Sequence, residues 1–169
     1  MHGHAVAILP GAGMEGDLKG WSAMDTKLRL GDFICFSLYS ASHAFTRIYK
    51  PLLERLGLTY PQYLVMVVLW EQDGQTVGGI GEKLFLESST LTPLLKRLET
   101  AGLVKRERNP ADERQVLIRL TPEGRDMQQQ TADFLQQLVE ATGMSVEEIG
   151  ELRRNIVTLR DNLNRMAGV

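Results

Sequence analysis

From Leu28 onward the apolar residues recur at helical spacing, through Phe33, Leu38, Ala41, Phe45, Ile48, Leu52 and Leu56, until Gly57 stops the run. The spacing predicts one long first helix, with a bend expected near Pro51. Thr59-Tyr60-Pro61-Gln62 then sets a capping residue three positions before a glutamine, with proline in the first turn where its missing N–H costs nothing. A second helix is therefore predicted from Tyr60 to about Glu71, and its apolar residues on all sides imply burial. Residues 77–85 read as a short third helix. Residues 87–102 read as a fourth, capped by Ser88 or Ser89 and closed by Gly102. The third and fourth together form a helix-turn-helix.

The period then changes from helical to two. Residues 103–108 and 115–120 alternate, with Val116, Ile118 and Leu120 on one face and Leu117 and Arg119 on the other, joined by residues 109–114. This is a hairpin, the wing of a winged helix. Thr121-Pro122 caps a further helix, and Ser145 with Glu148 supplies a capping box for a last one running to about Met166. The fold expected is mainly α with a small β-hairpin: a winged helix-turn-helix at about residues 60–121, between long terminal helices at about 25–57 and 122–166. Terminal helices longer than the central unit can cover are expected to pack on a second copy of the chain, making a homodimer.

Composition narrows the setting. A chain of 169 residues with 43% hydrophobic content is long enough to bury one core. Its longest apolar run, residues 63–70, falls far short of the roughly 20 residues that span a bilayer. No membrane partner is expected. The apolar patch at residues 5–9 has no basic stretch before it and no convincing cleavage site after it, so export is not expected. A single cysteine, Cys35, allows no intramolecular disulfide, which fits a reducing cytoplasm. Residues 1–24 hold five glycines without a sustained period and read as a disordered extension, or as a start site assigned upstream of a true one at Met24.

Charge is concentrated beside the helix-turn-helix. Between Ser88 and Arg119 stand seven cations (Lys96, Arg97, Lys105, Arg106, Arg108, Arg114, Arg119) against four acids (Glu99, Glu107, Asp112, Glu113), a local +3 in a chain of net −2. Ser88, Ser89, Thr90 and Thr92 give the fourth helix short hydrogen-bonding side chains and free N–H groups in its first turn, suited to base edges and phosphate in a major groove. Lys96 and Arg97 would meet phosphates, and Arg108 and Arg114 lie near the wing tip. Singly, each arginine reads as an ordinary surface charge; their concentration makes double-stranded DNA the partner expected.

Cys35 calls for the same weighing, because an isolated cysteine is commonly inert packing. Asp32 and Tyr39, one turn away on a continuous helix, bring no positive charge, so a reactive thiolate needs help from elsewhere. Three histidines, His2, His4 and His43, form no ligand cluster with it, and neither a metal nor a cofactor is expected.

The motifs Leu91-Thr-Pro-Leu-Leu-Lys-Arg-Leu-Glu99, Gly102-Leu-Val104, Asp112-Glu-Arg114 and Ile118-Arg-Leu-Thr121 resemble the multiple antibiotic resistance regulator (MarR) family over about residues 27–165. Within it, Cys35-Phe-Ser-Leu-Tyr39, Tyr49-Lys-Pro-Leu-Leu53 and Leu58-Thr-Tyr-Pro-Gln-Tyr63 resemble the organic hydroperoxide resistance regulators of the one-cysteine type. The resemblance implies a repressor, not an enzyme, that binds a pseudo-palindromic operator as a homodimer and releases it when an organic hydroperoxide oxidises Cys35. It further implies that Tyr49 and Tyr60 hydrogen-bond the reactive sulfur, with Tyr39 assisting, and that Arg114 enters the minor groove oriented by Asp112. Tyr49 lies about 21 Å along a straight helix from Cys35 at 1.5 Å per residue, so the sensor would be completed across the dimer. Phe33, Phe36 and Phe45 could line an apolar peroxide pocket or be plain core. A low-molecular-weight thiol could capture the oxidised cysteine, which could also cyclise or oxidise further. The competing readings are a repressor relieved by a non-covalent phenolic or lipophilic ligand, a thiol peroxidase, and a purely structural dimer module.

Overall fold

The computed structural model describes residues 29–168, and the extension read at residues 1–24 lies outside them. The chain divides into two units, residues 1–42 and 43–169.

In the first unit the expected continuous helix from Leu28 is interrupted. A 3-10 turn at Leu30–Asp32 ends at Phe33, whose backbone is extended (φ −89°, ψ 116°). Helix α1 (Ile34–Leu56) starts only afterwards, with the N–H groups of Phe36 and Ser37 both donating to the Phe33 carbonyl at 3.1 Å. Gly31 and Asp32 favour a turn over a helix interior, and they override the apolar period there. Pro51 lies inside α1, which runs on to Leu56.

The second unit opens with the end of α1 and continues with α2 (Tyr60–Glu71), β1 (Gln75–Thr76), α3 (Val77–Leu84), α4 (Ser88–Thr100), β2 (Val104–Asn109), β3 (Asp112–Leu120), α5 (Pro122–Asp126), α6 (Phe134–Thr142) and α7 (Val146–Ala167). Helix α2 has the bounds its sequence predicts: the Thr59 N–H and hydroxyl donate to Gln62 Oε1 at 2.8 and 2.9 Å. At α4 the cap differs. Glu87, not Ser88 or Ser89, occupies the cap position, and both serines are helical and exposed. The Glu87 carbonyl accepts from Thr90 and Leu91, starting the helix one residue earlier than a serine cap would. Gly102 closes it at φ +74°, with the Leu103 N–H reaching back to the Leu98 carbonyl at 3.0 Å.

The three strands form an antiparallel sheet in the order β1-β3-β2. The hairpin turn is tighter than residues 109–114, since β3 already begins at Asp112 and pairs with Asn109. Strand β1, two residues long, is too short to show any period in sequence. The chain after the hairpin, where one helix was expected before the last, divides into α5, a 3-10 turn at Met127–Thr131 and α6. The Thr131 hydroxyl donates to the Gln128 carbonyl, offering the backbone an alternative to a continued helix. Helix α7 follows its capping box, with Ser145 N–H to Glu148 Oε2 at 2.7 Å and the return bond at 3.2 Å.

One core holds this unit together. Leu52, Leu53 and Leu56 of α1, Val65, Met66 and Leu69 of α2, Ile80, Leu91, Leu95, Leu98, Val104, Ile118, Leu120 and Phe134 are all buried in it. The base of the wing is fixed by Asp73, whose Oδ1 accepts the Leu120 N–H at 2.8 Å and whose Oδ2 pairs with Arg125 at 3.1 Å. Arg125 also donates to the Leu120 carbonyl at 3.0 Å. Helix α5 packs so closely that a Cβ on Gly124 would stand 2.0 Å from the Leu103 carbonyl oxygen. The Gly124 carbonyl in turn accepts the Trp70 Nε1–H at 2.8 Å. Gly124→Ala is therefore expected to cost about 3 kcal/mol, as overpacking does, with a Tm lowered by several degrees in a thermal melt. An unchanged Tm would contradict this packing.

Candidate functional site

Two groups of side chains stand out, one at the helix-turn-helix and wing, the other around the tyrosines. In α4, Leu91, Leu95 and Leu98 are spaced four and three apart and have no accessible surface, so they fix which face turns inward. Ser88, Ser89, Thr90, Thr92, Lys96 and Arg97 are consequently exposed. The Thr92 hydroxyl donates to the Ser88 carbonyl at 2.7 Å, leaving its oxygen able to accept.

On the wing, the register places Arg106 opposite Ile118 and Arg108 opposite Val116, on the face that becomes core at the wing's base. Lys105, Glu107 and Arg119 share the other face. There Glu107 pairs with Lys105 at 2.6 Å and with Arg119 at 2.9 Å. Hydrogen bonding to Lys105 first, then the charges around it, holds the Glu107 carboxyl below its usual range. Two of the seven cations in the local count thus share one carboxylate, which leaves this trio with a net charge of +1.

At the tip the Arg114 side chain is 91% exposed, with Nε 3.1 Å from Asp112 Oδ1. The same carboxylate oxygen accepts the Arg114 backbone N–H at 3.1 Å. These bonds, the side-chain one foremost, hold Asp112 below the usual carboxylate range. Asn109 and Gln115 complete the turn: Asn109 Oδ1 accepts the Ala111 N–H, its amide donates to Gln115, and Gln115 donates to Asp112. Sequence reasoning missed both, although an Asn and a Gln flanking a charged turn are the residues able to both donate and accept.

Cys35 is a free, exposed thiol. Because α1 begins at Ile34, it is the second residue of that helix, in the first turn. Tyr39 is exposed, its ring 6.5 Å from that of Phe36. Phe33 and Phe45 are exposed and Phe36 half-buried.

In the second unit Tyr49 and Tyr60 come together, ring centroids 4.8 Å apart. Tyr63 joins them, 5.8 Å from Tyr49, and continues into Trp70 and Phe134 at 6.0 and 5.7 Å. Tyr63 was not among the predicted site residues, but its i+3 spacing from Tyr60 on α2 places both on one face. A cavity of about 300 Å³ opens beside Tyr60, lined by Arg47, Lys50, Leu53, Leu58 and Thr59 among others. Burial, then the neighbouring Tyr60 and Tyr63, pushes the Tyr49 phenol up to about 12. Burial also raises Tyr60 and Tyr63, a hydrogen bond with Thr131 opposing it at Tyr63. Tyr49 and Tyr60 therefore remain O–H donors at any physiological pH, as a thiolate partner must.

Among the described residues no group of three or more His, Cys, Asp or Glu could hold a metal ion. Nor is any described helix long and apolar enough to cross a membrane.

A winged helix-turn-helix with an exposed polar recognition face and a basic hairpin defines the class, a winged-helix transcriptional regulator. The chain belongs to the SarA/Rot transcriptional regulator family, whose profile matches residues 47–131. It is 47% identical over 144 residues, 85% of its length and 74% of the relative's, to the HTH-type transcriptional regulator TtmR of Methylorubrum extorquens. It is 41% identical over 138 residues, 82% of its length and 94% of the relative's, to the organic hydroperoxide resistance transcriptional regulator of Bacillus subtilis. Among solved structures it resembles AbfR of Staphylococcus epidermidis. With reduced AbfR bound to DNA the TM-score is 0.69 at 39% identity, covering 82% of this chain and 94% of that one. With overoxidised AbfR bound to DNA it is 0.64 at 40% identity, covering 79% and 94%. The resemblance read from the motifs is thereby borne out.

Folding holds Tyr49 protonated above its unfolded value near 10, so this contributes stability that is complete below pH 10 and lost as pH rises toward 12. Tyrosinate absorbance at 295 nm should show a late step near pH 12 that disappears in Tyr49→Phe. Titration of all tyrosines near pH 10 in the folded protein would contradict the burial.

Proposed function

We propose that this protein is a repressor that holds a pseudo-palindromic operator as a reduced homodimer and lets go when an organic hydroperoxide oxidises Cys35. The observation that carries this reading is the position of an exposed cysteine in the first turn of α1 in a chain that also carries a half-buried, persistently protonated tyrosine pair.

Dimerisation is assigned to the terminal helices, at about residues 25–57 and 122–166. On α7 the positions Ile149, Leu152, Ile156, Leu159, Leu163 and Met166 repeat every three and four residues, yet α7 buries none of its side chains. Such a stripe needs a partner helix. The lobe at about residues 60–121 is assigned to DNA. The two α4 helices of a dimer would enter major grooves about 10 base pairs apart. Ser88, Ser89, Thr90 and Thr92 would face bases, Lys96, Arg97 and Arg108 phosphates, and Arg114, held by Asp112, the minor groove.

Sensing begins when the Cys35 thiolate attacks the peroxide's outer oxygen, giving a sulfenate and releasing the alcohol. Tyr49 and Tyr60 of the other protomer, with Tyr39 assisting, hydrogen-bond the thiolate beforehand. The cavity beside Tyr60 is suited to the apolar part of the peroxide. A neighbouring structure is of overoxidised AbfR bound to DNA. We therefore assign release to the bulkier mixed disulfide formed when a low-molecular-weight thiol condenses with the sulfenate, expelling water. The protein consumes one peroxide per thiol and has no enzymatic turnover or cofactor; it acts in the cytoplasm.

The test uses a duplex selected by the wild-type protein from a random-sequence pool. Binding is measured for wild type and Cys35→Ser before and after stoichiometric cumene hydroperoxide with a small thiol, then after excess reductant. Wild type alone should release, by at least tenfold in Kd, and reductant should restore it. If both variants hold on, or both release, Cys35 is not the switch and a ligand-relieved repressor becomes the better reading.

A further inference from the structure

Phe85, the residue between α3 and the recognition helix α4, has φ +55° and ψ +40°. Among the described residues it is the one non-glycine with positive φ. A helix C-terminus that needs this conformation is served at lower cost by glycine or asparagine, since an aromatic side chain pays a steric penalty there. Its ring is not consumed by the core either, because Phe85 is 62% exposed. A strained, exposed aromatic residue calls for a use of its side chain.

The ring has a partner on α7. The Arg160 guanidinium carbon lies 4.6 Å from the Phe85 ring centroid. Arg160 is itself held by Asp161, whose Oδ1 accepts from Nε at 2.9 Å and from Nη2 at 2.7 Å. The turn that carries Phe85 is tightly seated: a Cβ on Gly81 would stand 2.7 Å from the Leu86 carbonyl oxygen. Asn164, one turn beyond Arg160, lines with Glu82, Phe85, Glu87 and Ser88 an open groove of about 780 Å³. The last of these residues starts α4, so α7 faces the first turn of the recognition helix across this groove with the cation–aromatic pair at its edge.

We propose that Phe85 and Arg160 form a coupling strut through which α7 sets the position of the α4 first turn. Neither residue touches DNA in this scheme; both are positioning residues. The guanidinium fixes the ring, the ring fixes the α3–α4 turn, and the turn fixes where Ser88, Ser89 and Thr90 stand. Displacement of α7 on its partner helix would then tilt α4 without unfolding either element. The groove leaves room for that tilt, and the strained backbone at Phe85 keeps the turn from relaxing around an unsupported ring.

The test is a double-mutant cycle on the full-length dimer with the duplex selected by wild-type protein. Kd is measured in the reduced state for wild type, Phe85→Leu, Arg160→Gln and the double variant, with Tm alongside. Each single variant should weaken binding about two- to fivefold, the range of a cation–aromatic contact, and the double variant no further than either. Phe85→Tyr, which keeps the ring, should bind as wild type. Phe85→Gly is the sharpest arm: relief of the backbone penalty should maintain or raise Tm while binding weakens, a divergence that a merely structural role cannot produce. Additive losses, or a Phe85→Gly protein that binds as wild type, would overturn the strut. The arms run in the reduced state, so they stand whether or not peroxide releases the protein; wild type that ignores peroxide would count against the redox reading alone.

Discussion

Leu91, Leu95 and Leu98 have no accessible surface, and their burial against α2, α3 and the hairpin sets the rotation of α4. Everything the helix offers to a ligand follows from that rotation. A turn of one residue about the helix axis would move its polar face by about 100°. The wing is tied to the same core through Ile118 and Leu120, and to the α2–β1 turn through Asp73. The recognition helix and basic hairpin are thus two projections of one packed unit, and their spacing is as fixed as its interior.

The proposed peroxide chemistry rests on a different constraint, which is where α1 begins. A helix running back through Asp32 would leave Cys35 mid-helix, beside a carboxylate and away from any free N–H. The extended backbone at Phe33 ends that possibility and puts the thiol in a first turn. Meanwhile burial keeps the Tyr49 phenol protonated, with its value pushed up to about 12. In the proposed sensor each side supplies what the other lacks: an exposed thiol, and donors that do not ionise.

Much of this was legible in the residues because the signals were chemically explicit. Capping boxes at Thr59 and Ser145, proline at the first turn of two helices and Gly102 in a left-handed closure each mark an end by a bond or a dihedral angle. Alternation marked the hairpin. What escaped was local or tertiary in origin. Gly31 and Asp32 broke an apolar period that looked continuous, and β1 exists only because Gln75 and Thr76 find β3. The polar wiring of Asn109 and Gln115 depends on a tight turn, and Tyr63 joins the tyrosine pair through packing. Glu107 pairs with both Lys105 and Arg119, a contact that only the register could reveal.

The claim that the sensor is completed across the dimer is open to a direct test with mixed dimers. In one, Cys35→Ser is on one chain and Tyr49→Phe with Tyr60→Phe on the other, so the single thiol faces intact tyrosines of its partner. In the second, all three substitutions are on one chain, and the remaining thiol faces phenylalanines. Stopped-flow oxidation by cumene hydroperoxide should be as fast as wild type, per thiol, in the first dimer and at least tenfold slower in the second. The reverse order would place the tyrosines beside the thiol of their own chain and contradict the proposed sensor.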